Sequence, residues 1–132
     1  MQAPINEMIQ HAEQALANAY APYSKFPVAA CIMTPEGKLF SGCNVENASF
    51  PLGACAETSA IGAMVTAGYH HIAEIVIIAK NLAICPPCGG CRQRIAEFAD
   101  AKTRIHLCNQ GVIQKTFTLA ELLPEVFELS LT

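Results

Sequence analysis

Charge is scarce in this sequence. Lys and Arg total 8, Asp and Glu 11, and together they make up only 14% of the 132 residues. There is no basic run; the densest basic stretch is Arg92-Gln93-Arg94. Nucleic-acid binding through phosphate neutralisation needs a concentrated basic face, and a net charge of -3 argues against one. No apolar stretch is long enough to span a bilayer, so no membrane partner is expected. The opening Met1-Gln2-Ala3-Pro4 has neither a basic region nor an apolar core of the kind that marks a secretory signal. Repeats, linkers and low-complexity tracts are also missing. A single domain over 1–132 is therefore expected.

What the chain has in abundance is apolar surface. Hydrophobic residues make up 52% of it. A small domain exposes proportionally more surface, so this balance predicts apolar area covered by partner subunits. The seven cysteines are an odd number. Cys31, Cys43 and Cys108 lie in strand-like apolar segments, where thiols pack as small hydrophobes. A disulfide framework is not expected, and a reducing cytoplasm fits best.

Taken in order, residues 5–21 read as an amphipathic helix, with Asn6 as a candidate cap and Pro22 as the stop. His11 reads as a surface or boundary residue. Residues 28–33 and 38–45 read as a strand hairpin across the Thr34-Pro35-Glu36-Gly37 turn. Asn44-Val45-Glu46-Asn47 reads as a turn ending it, and 49–54 as a loop. Residues 55–67 form a small, apolar helix expected to be buried on most sides, with Gly68 as its stop. His70 and His71 read as loop residues, because adjacent side chains do not converge easily on one ion. Residues 72–79 are a core strand, and 88–100 a helix after Pro86-Pro87. Strands follow at 104–108 and 112–118. Thr118-Leu119-Ala120-Glu121 has the pattern of a capping box opening a short helix, stopped by Pro124. Phe127, Leu129 and Leu131 form an apolar tail. The order α-β-β-α-β-α-β-β-α predicts an α/β sheet with helices on its faces.

Two clusters carry the chemistry: Cys55-Ala56-Glu57 and Pro87-Cys88-Gly89-Gly90-Cys91. Cys88 and Cys91 can close on one zinc ion, with Cys55 as the third ligand. Three protein ligands leave one of four tetrahedral positions to water, which separates a catalytic site from a structural one. Both clusters open helices, where free N–H groups and the helix dipole favour thiolates. Glu57 is the candidate acid/base beside the water, although residues i and i+2 do not face each other on a regular helix. As a first-turn carboxylate it could also simply favour the helix N-terminus. Three thiolates on Zn²⁺ carry a net negative charge, and Arg92, next to Cys91, is the candidate cation that offsets it.

These stretches, with Ala21-Pro22-Tyr23-Ser24-Lys25-Phe26-Pro27-Val28, Gly42-Cys43-Asn44-Val45-Glu46-Asn47-Ala48, Pro51-Leu52-Gly53-Ala54, Arg92-Gln93 and Glu121-Leu122-Leu123-Pro124, resemble the short, homotetrameric cytidine deaminases over nearly the whole chain. The resemblance implies a cytidine deaminase-like α-β-α sandwich, a mixed five-stranded sheet with helices on both faces. It implies one Zn²⁺ per subunit on Cys55, Cys88 and Cys91. It also implies a hydrolase of pyrimidine salvage that turns cytidine or deoxycytidine into uridine or deoxyuridine plus ammonia. In that chemistry zinc hydroxide attacks C4 and Glu57 shuttles the proton. Asn44 and Glu46 would hold the ribose hydroxyls, Phe26 would pack beside base and sugar, and Ala56 would offer backbone groups to the pyrimidine. Phe127 would reach a neighbouring subunit's site.

Three positions depart from the family pattern. Thr58 stands where arginine is usual, Phe50 where tyrosine is common, and Ala29 where glycine is usual. The last is expected to tighten the pocket wall. Two other readings compete. An aminonucleoside antibiotic deaminase is opposed by Asn44 and Glu46 in the ribose-holding motif. A non-catalytic zinc or RNA-binding module would need a fourth protein ligand and a basic face, and neither is visible.

Overall fold

Ile5, Met8, Ile9 and Ala12 recur at helical spacing, and all four are buried on one face of α1, Gln2–Leu16. The computed structural model describes residues 2–129, and side chains from residue 4 onward. Within it α1 begins and ends earlier than the 5–21 expected. Asn6 lies inside the helix rather than capping it. The last turn tightens, with Asn18 N bonding to Ala15 O at 3.0 Å and Ala19 N to Leu16 O at 3.2 Å. The chain has thus left the helix well before Pro22.

β1 (Val28–Met33) and β2 (Leu39–Cys43) form the expected hairpin, paired antiparallel from Ala29↔Cys43 to Met33↔Leu39. β2 stops short of 45 because Val45 turns away to bridge Tyr20 and Ala54. β3 (Glu74–Ala79), β4 (Arg104–Asn109) and β5 (Val112–Thr118) complete the sheet, in the order β2-β1-β3-β4-β5. β3 pairs with β1 antiparallel and with β4 parallel, and β4 with β5 antiparallel. This is the mixed five-stranded sheet expected. β3 begins later than 72, since Ile72 N bonds to Phe98 O and Ala73 N to Met33 O, outside the ladder.

Alternation along the strands sorts two cores. Ala29, Cys31, Val76, Ile78 and Cys108 point to one face and pack under α1. Ala30, Ile32, Ile75, Ile77, Ile105 and Leu107 point to the other. That second face is covered by α2 (Ala56–Thr66), α3 (Gly89–Glu97) and the short α4 (Leu119–Leu122). The capping box of α4 is present: the Thr118 hydroxyl accepts from Glu121 N, and Glu121 accepts from Thr118 N. α3 ends at Glu97 rather than 100. α2 is not buried on most sides. Ala56, Glu57, Ala60, Ile61 and Met64 are covered, but Gly62, Ala63, Val65 and Thr66 face outward.

The topology decides where the site must lie. β2 and β3 both run antiparallel to β1, so their carboxyl ends emerge at the same sheet edge. The chain leaving β2 leads to α2, and the chain leaving β3 leads to α3. Both helices therefore start at that edge, beside the entry to β1. Open α/β sheets bind ligands at this kind of edge.

Candidate active site

Cys55 is the N-cap of α2, with φ -70° and ψ 159°. Cys88 is the N-cap of α3, with φ -65° and ψ 166°. Cys91 sits in the first turn of α3 and is fully buried. The three Sγ atoms lie within 4.8 Å of one another. A tetrahedral zinc with bonds of about 2.3 Å wants sulfurs about 3.8 Å apart, so a small contraction would close the set on one ion. Among the described residues no other group of three such side chains converges in this way. His70 and His71 lie outside it, in an exposed loop.

The electrostatics fit a cation. Burial pushes the Cys55 and Cys91 thiols up from their ordinary value, and Glu57 adds to this at Cys91. Cys88 goes the other way, lowered first by the backbone N–H of Cys91. Three thiolates crowded together beside a carboxylate are tenable only with a positive ion among them.

Glu57 is 4% exposed, deep for a carboxylate. Burial raises its carboxyl above the usual range, and its own backbone N–H, the Cys91 thiol and Arg94 offset this only in part. Cys55 is a non-helical cap residue, so the i, i+2 objection from a regular helix loses its force. The structure brings the Glu57 carboxyl into interaction with Cys91 across the two helices.

Arg92 does not meet the sulfurs. Its Nε donates to Pro87 O at 2.9 Å and its Nη1 to Leu122 O at 3.0 Å, so it ties the loop before α3 to α4. The Thr58 hydroxyl is buried and has no hydrogen-bond partner. The guanidinium that reaches the cluster belongs to Arg94, whose Nη1 stands 3.9 Å from Cys91 Sγ. Sequence reasoning missed it, although the signal was available: Arg94 follows Cys91 by three residues on one helix, and such residues share a face.

The other expected contacts gather at the same edge. Asn44 spans the entry to β1, accepting from Val28 N at 3.0 Å and donating to Phe26 O at 2.9 Å. Phe26 is half-buried. Glu46 accepts from Tyr23 N at 2.9 Å, from Ser24 N at 3.0 Å and from the Ser24 hydroxyl. These bonds, the hydroxyl foremost, hold its carboxyl below the usual range. Tyr23, Ser24, Glu46, Asn47, Phe50 and Gly53 line an open cleft of about 380 Å³. Phe50 opens the short 3-10 helix Phe50–Leu52, inside the segment expected to be loop, and meets Tyr23 edge-on at 5.7 Å. Ala29 is fully buried under α1, on the sheet face away from α2 and α3. It therefore forms no wall of this site. The Phe127 side chain is 69% exposed, and its carbonyl accepts from Gln93 Nε2 at 3.0 Å. Leu131 lies outside the described residues.

A family model for the cytidine and deoxycytidylate deaminase zinc-binding region matches residues 3–107. A cytidine deaminase of Halalkalibacterium halodurans is 41% identical over 121 residues, 91% of this chain and 91% of that protein. One from Sporosarcina psychrophila is 37% identical over 124 residues, 93% of this chain and 90% of that protein. The crystal structure of a cytidine deaminase from Burkholderia pseudomallei superposes with a TM-score of 0.85 at 38% identity, covering 92% of this chain and 97% of that one. With the family match, the near full-length relatives and the shared fold all agreeing with a three-cysteine site able to hold a metal, the chain belongs to the zinc-binding cytidine deaminase family.

Proposed function

We propose that this chain hydrolyses the exocyclic amine of cytidine and deoxycytidine. One water is consumed, the C4–N bond breaks, and uridine or deoxyuridine and ammonia leave. The observation that carries this reading is the convergence of three sulfurs at two helix N-termini, with the buried carboxyl of Glu57 in the first turn of one of them. Cys55, Cys88 and Cys91 would hold a zinc ion, which would supply the Lewis acidity for water to act as a nucleophile. Glu57 would take one proton from the attacking water and deliver it to N3, where it remains in uridine, and would then pass the second, from the new C4 hydroxyl, to the departing amine. A carboxyl raised by burial suits that task, because it holds a proton more readily than an exposed one and can still give it up to the leaving amine. Ala56, at the first turn of α2, has a backbone N–H with no helical partner and offers it to the pyrimidine.

Glu46, which lines the cleft, receives the nucleoside together with Asn44 and Phe26 at the entry to β1. Their bonds to the 22–28 segment hold Asn44 and Glu46 in place: Asn44 Oδ1 and Glu46 Oε2 each accept one bond and keep a second lone pair, whereas Glu46 Oε1 is filled by the Tyr23 and Ser24 N–H groups. A carboxylate at the sugar also disfavours the phosphate of a nucleotide. The cleft is open in the single chain, which supports a site finished by neighbours. We read the assembly as a homotetramer with one zinc per subunit and Phe127 reaching an adjacent site. The seven free cysteines are consistent with the cytoplasm. The reaction is tested by turning cytidine over in ¹⁸O-labelled water. Uridine carrying one ¹⁸O at C4, with one ammonia per uridine, is expected. Absence of labelled uridine from zinc-replete protein would overturn the reading.

A further inference from the structure

We propose that Arg94 is the positioning residue that balances the charge of the metal centre, by donating from its guanidinium to the Cys91 sulfur. The inference rests on the reading that Cys55, Cys88 and Cys91 hold zinc. Three thiolates on a divalent cation leave a net charge of -1, and the carboxyl of Glu57, buried like Cys91, lies beside them. Such a centre needs donors and a cation aimed at its sulfurs. The helix N-termini supply N–H groups, foremost that of Cys91 toward Cys88. They supply no full charge. Thr58, on the first turns of α2, cannot contribute, because its hydroxyl finds no partner at all, sulfur included. Arg92 is spent on the carbonyls of Pro87 and Leu122. Arg94 remains, one turn beyond Cys91 on the same face of α3, with Nη1 3.9 Å from the sulfur. That is the outer reach of an N–H···S contact, and a thiolate draws the guanidinium inward where a neutral thiol does not.

The proposal separates two arginines that are two positions apart. Arg92 is a structural tie between α4 and the loop before α3; Arg94 tunes the sulfurs. The test compares zinc-loaded wild type with Arg94→Gln, Arg94→Lys, Arg92→Gln and the double variant Arg94→Gln, Thr58→Arg. Zinc retention against a competing chelator is measured first. Arg94→Gln is expected to weaken retention about 10- to 100-fold. Lysine at 94, or the arginine placed at 58, is expected to restore part of it. The protein is then loaded with Co²⁺, whose thiolate-to-metal charge-transfer absorption reports the electron density on sulfur. Loss of the Arg94 donor is expected to move that band to lower energy, whereas Arg92→Gln leaves it in place. A change in folding alone would not move the band in one variant and spare the other. Unchanged retention and an unmoved band in Arg94→Gln would overturn the proposal while leaving zinc binding intact. Equal zinc retention by Cys88→Ser and wild type would instead remove the metal reading on which it rests.

Discussion

At the scale of single residues, the centre depends on side chains whose chemistry their burial dictates. Glu57→Gln keeps the shape and removes the proposed proton carrier. It is expected to retain zinc by metal analysis while turnover falls about 10²- to 10⁴-fold, the usual contribution of a general acid–base group. Near-normal turnover in the zinc-replete variant would end that role. The cysteines divide by environment. Burial pushes Cys31 and Cys108 up to about 12, so at pH 8 both remain protonated and should resist alkylation until the chain unfolds. After chelation Cys88, exposed and lowered, should label first, and Cys91, buried and raised, last among the three of the cluster. Mass spectrometry of timed alkylation reads this order directly. The three cysteines were legible in the sequence because their spacing from one another, and from the helix starts, is itself the signal. The charge partner was not. Adjacency pointed to Arg92, but helical geometry turned Arg92 toward Leu122 and Arg94 toward Cys91.

At the scale of elements, the site is a consequence of how α2 lies on β2. Gly42 makes that approach possible. A Cβ there would stand 2.8 Å from Ser59 and closer still to the Ala60 nitrogen. These are backbone atoms or atoms rooted on the helix, so relief requires α2 to lift away. Overpacking of this kind costs about 1–3 kcal/mol. Gly42→Ala is expected to lower the Tm by roughly 5 °C. It should also loosen zinc, because Cys55 and Glu57 ride on the end of the same helix. A variant with wild-type Tm and zinc retention would contradict this packing. Element order and the two-sided sheet were readable from apolar periodicity. The ends were not, for local reasons: α1 tightens and stops at Leu16, and Cys55 and Cys88 cap their helices instead of entering them. The exposed face of α2 also escaped notice. Its sequence is mostly small and apolar, with the polar residues confined to no single face, and only the sheet decides which side is covered.

At the scale of the whole molecule, the unfinished features are apolar and lie at the surface. Phe50, Leu52, Phe127 and Leu129 are 73%, 71%, 69% and 77% exposed, which is costly for isolated chains and useful for subunits. Truncation after Pro124 removes Phe127 and Leu129. It is expected to weaken both assembly, by sedimentation, and substrate binding, by a raised KM. A truncated monomer with unchanged kinetic constants would contradict a tail that completes a neighbour's site. The proposed assembly has only a compositional trace in the sequence, an excess of apolar residues over charge, because an interface is made of the same residues as a core. The central claim is that Cys55, Cys88, Cys91 and Glu57 together make a zinc-dependent site for cytidine. The fall in ultraviolet absorbance as cytidine becomes uridine tests it most directly, followed before chelation, after chelation and after zinc is returned. Turnover that is present, lost and then restored is the predicted result; a zinc-replete protein that leaves cytidine and deoxycytidine unchanged would contradict it.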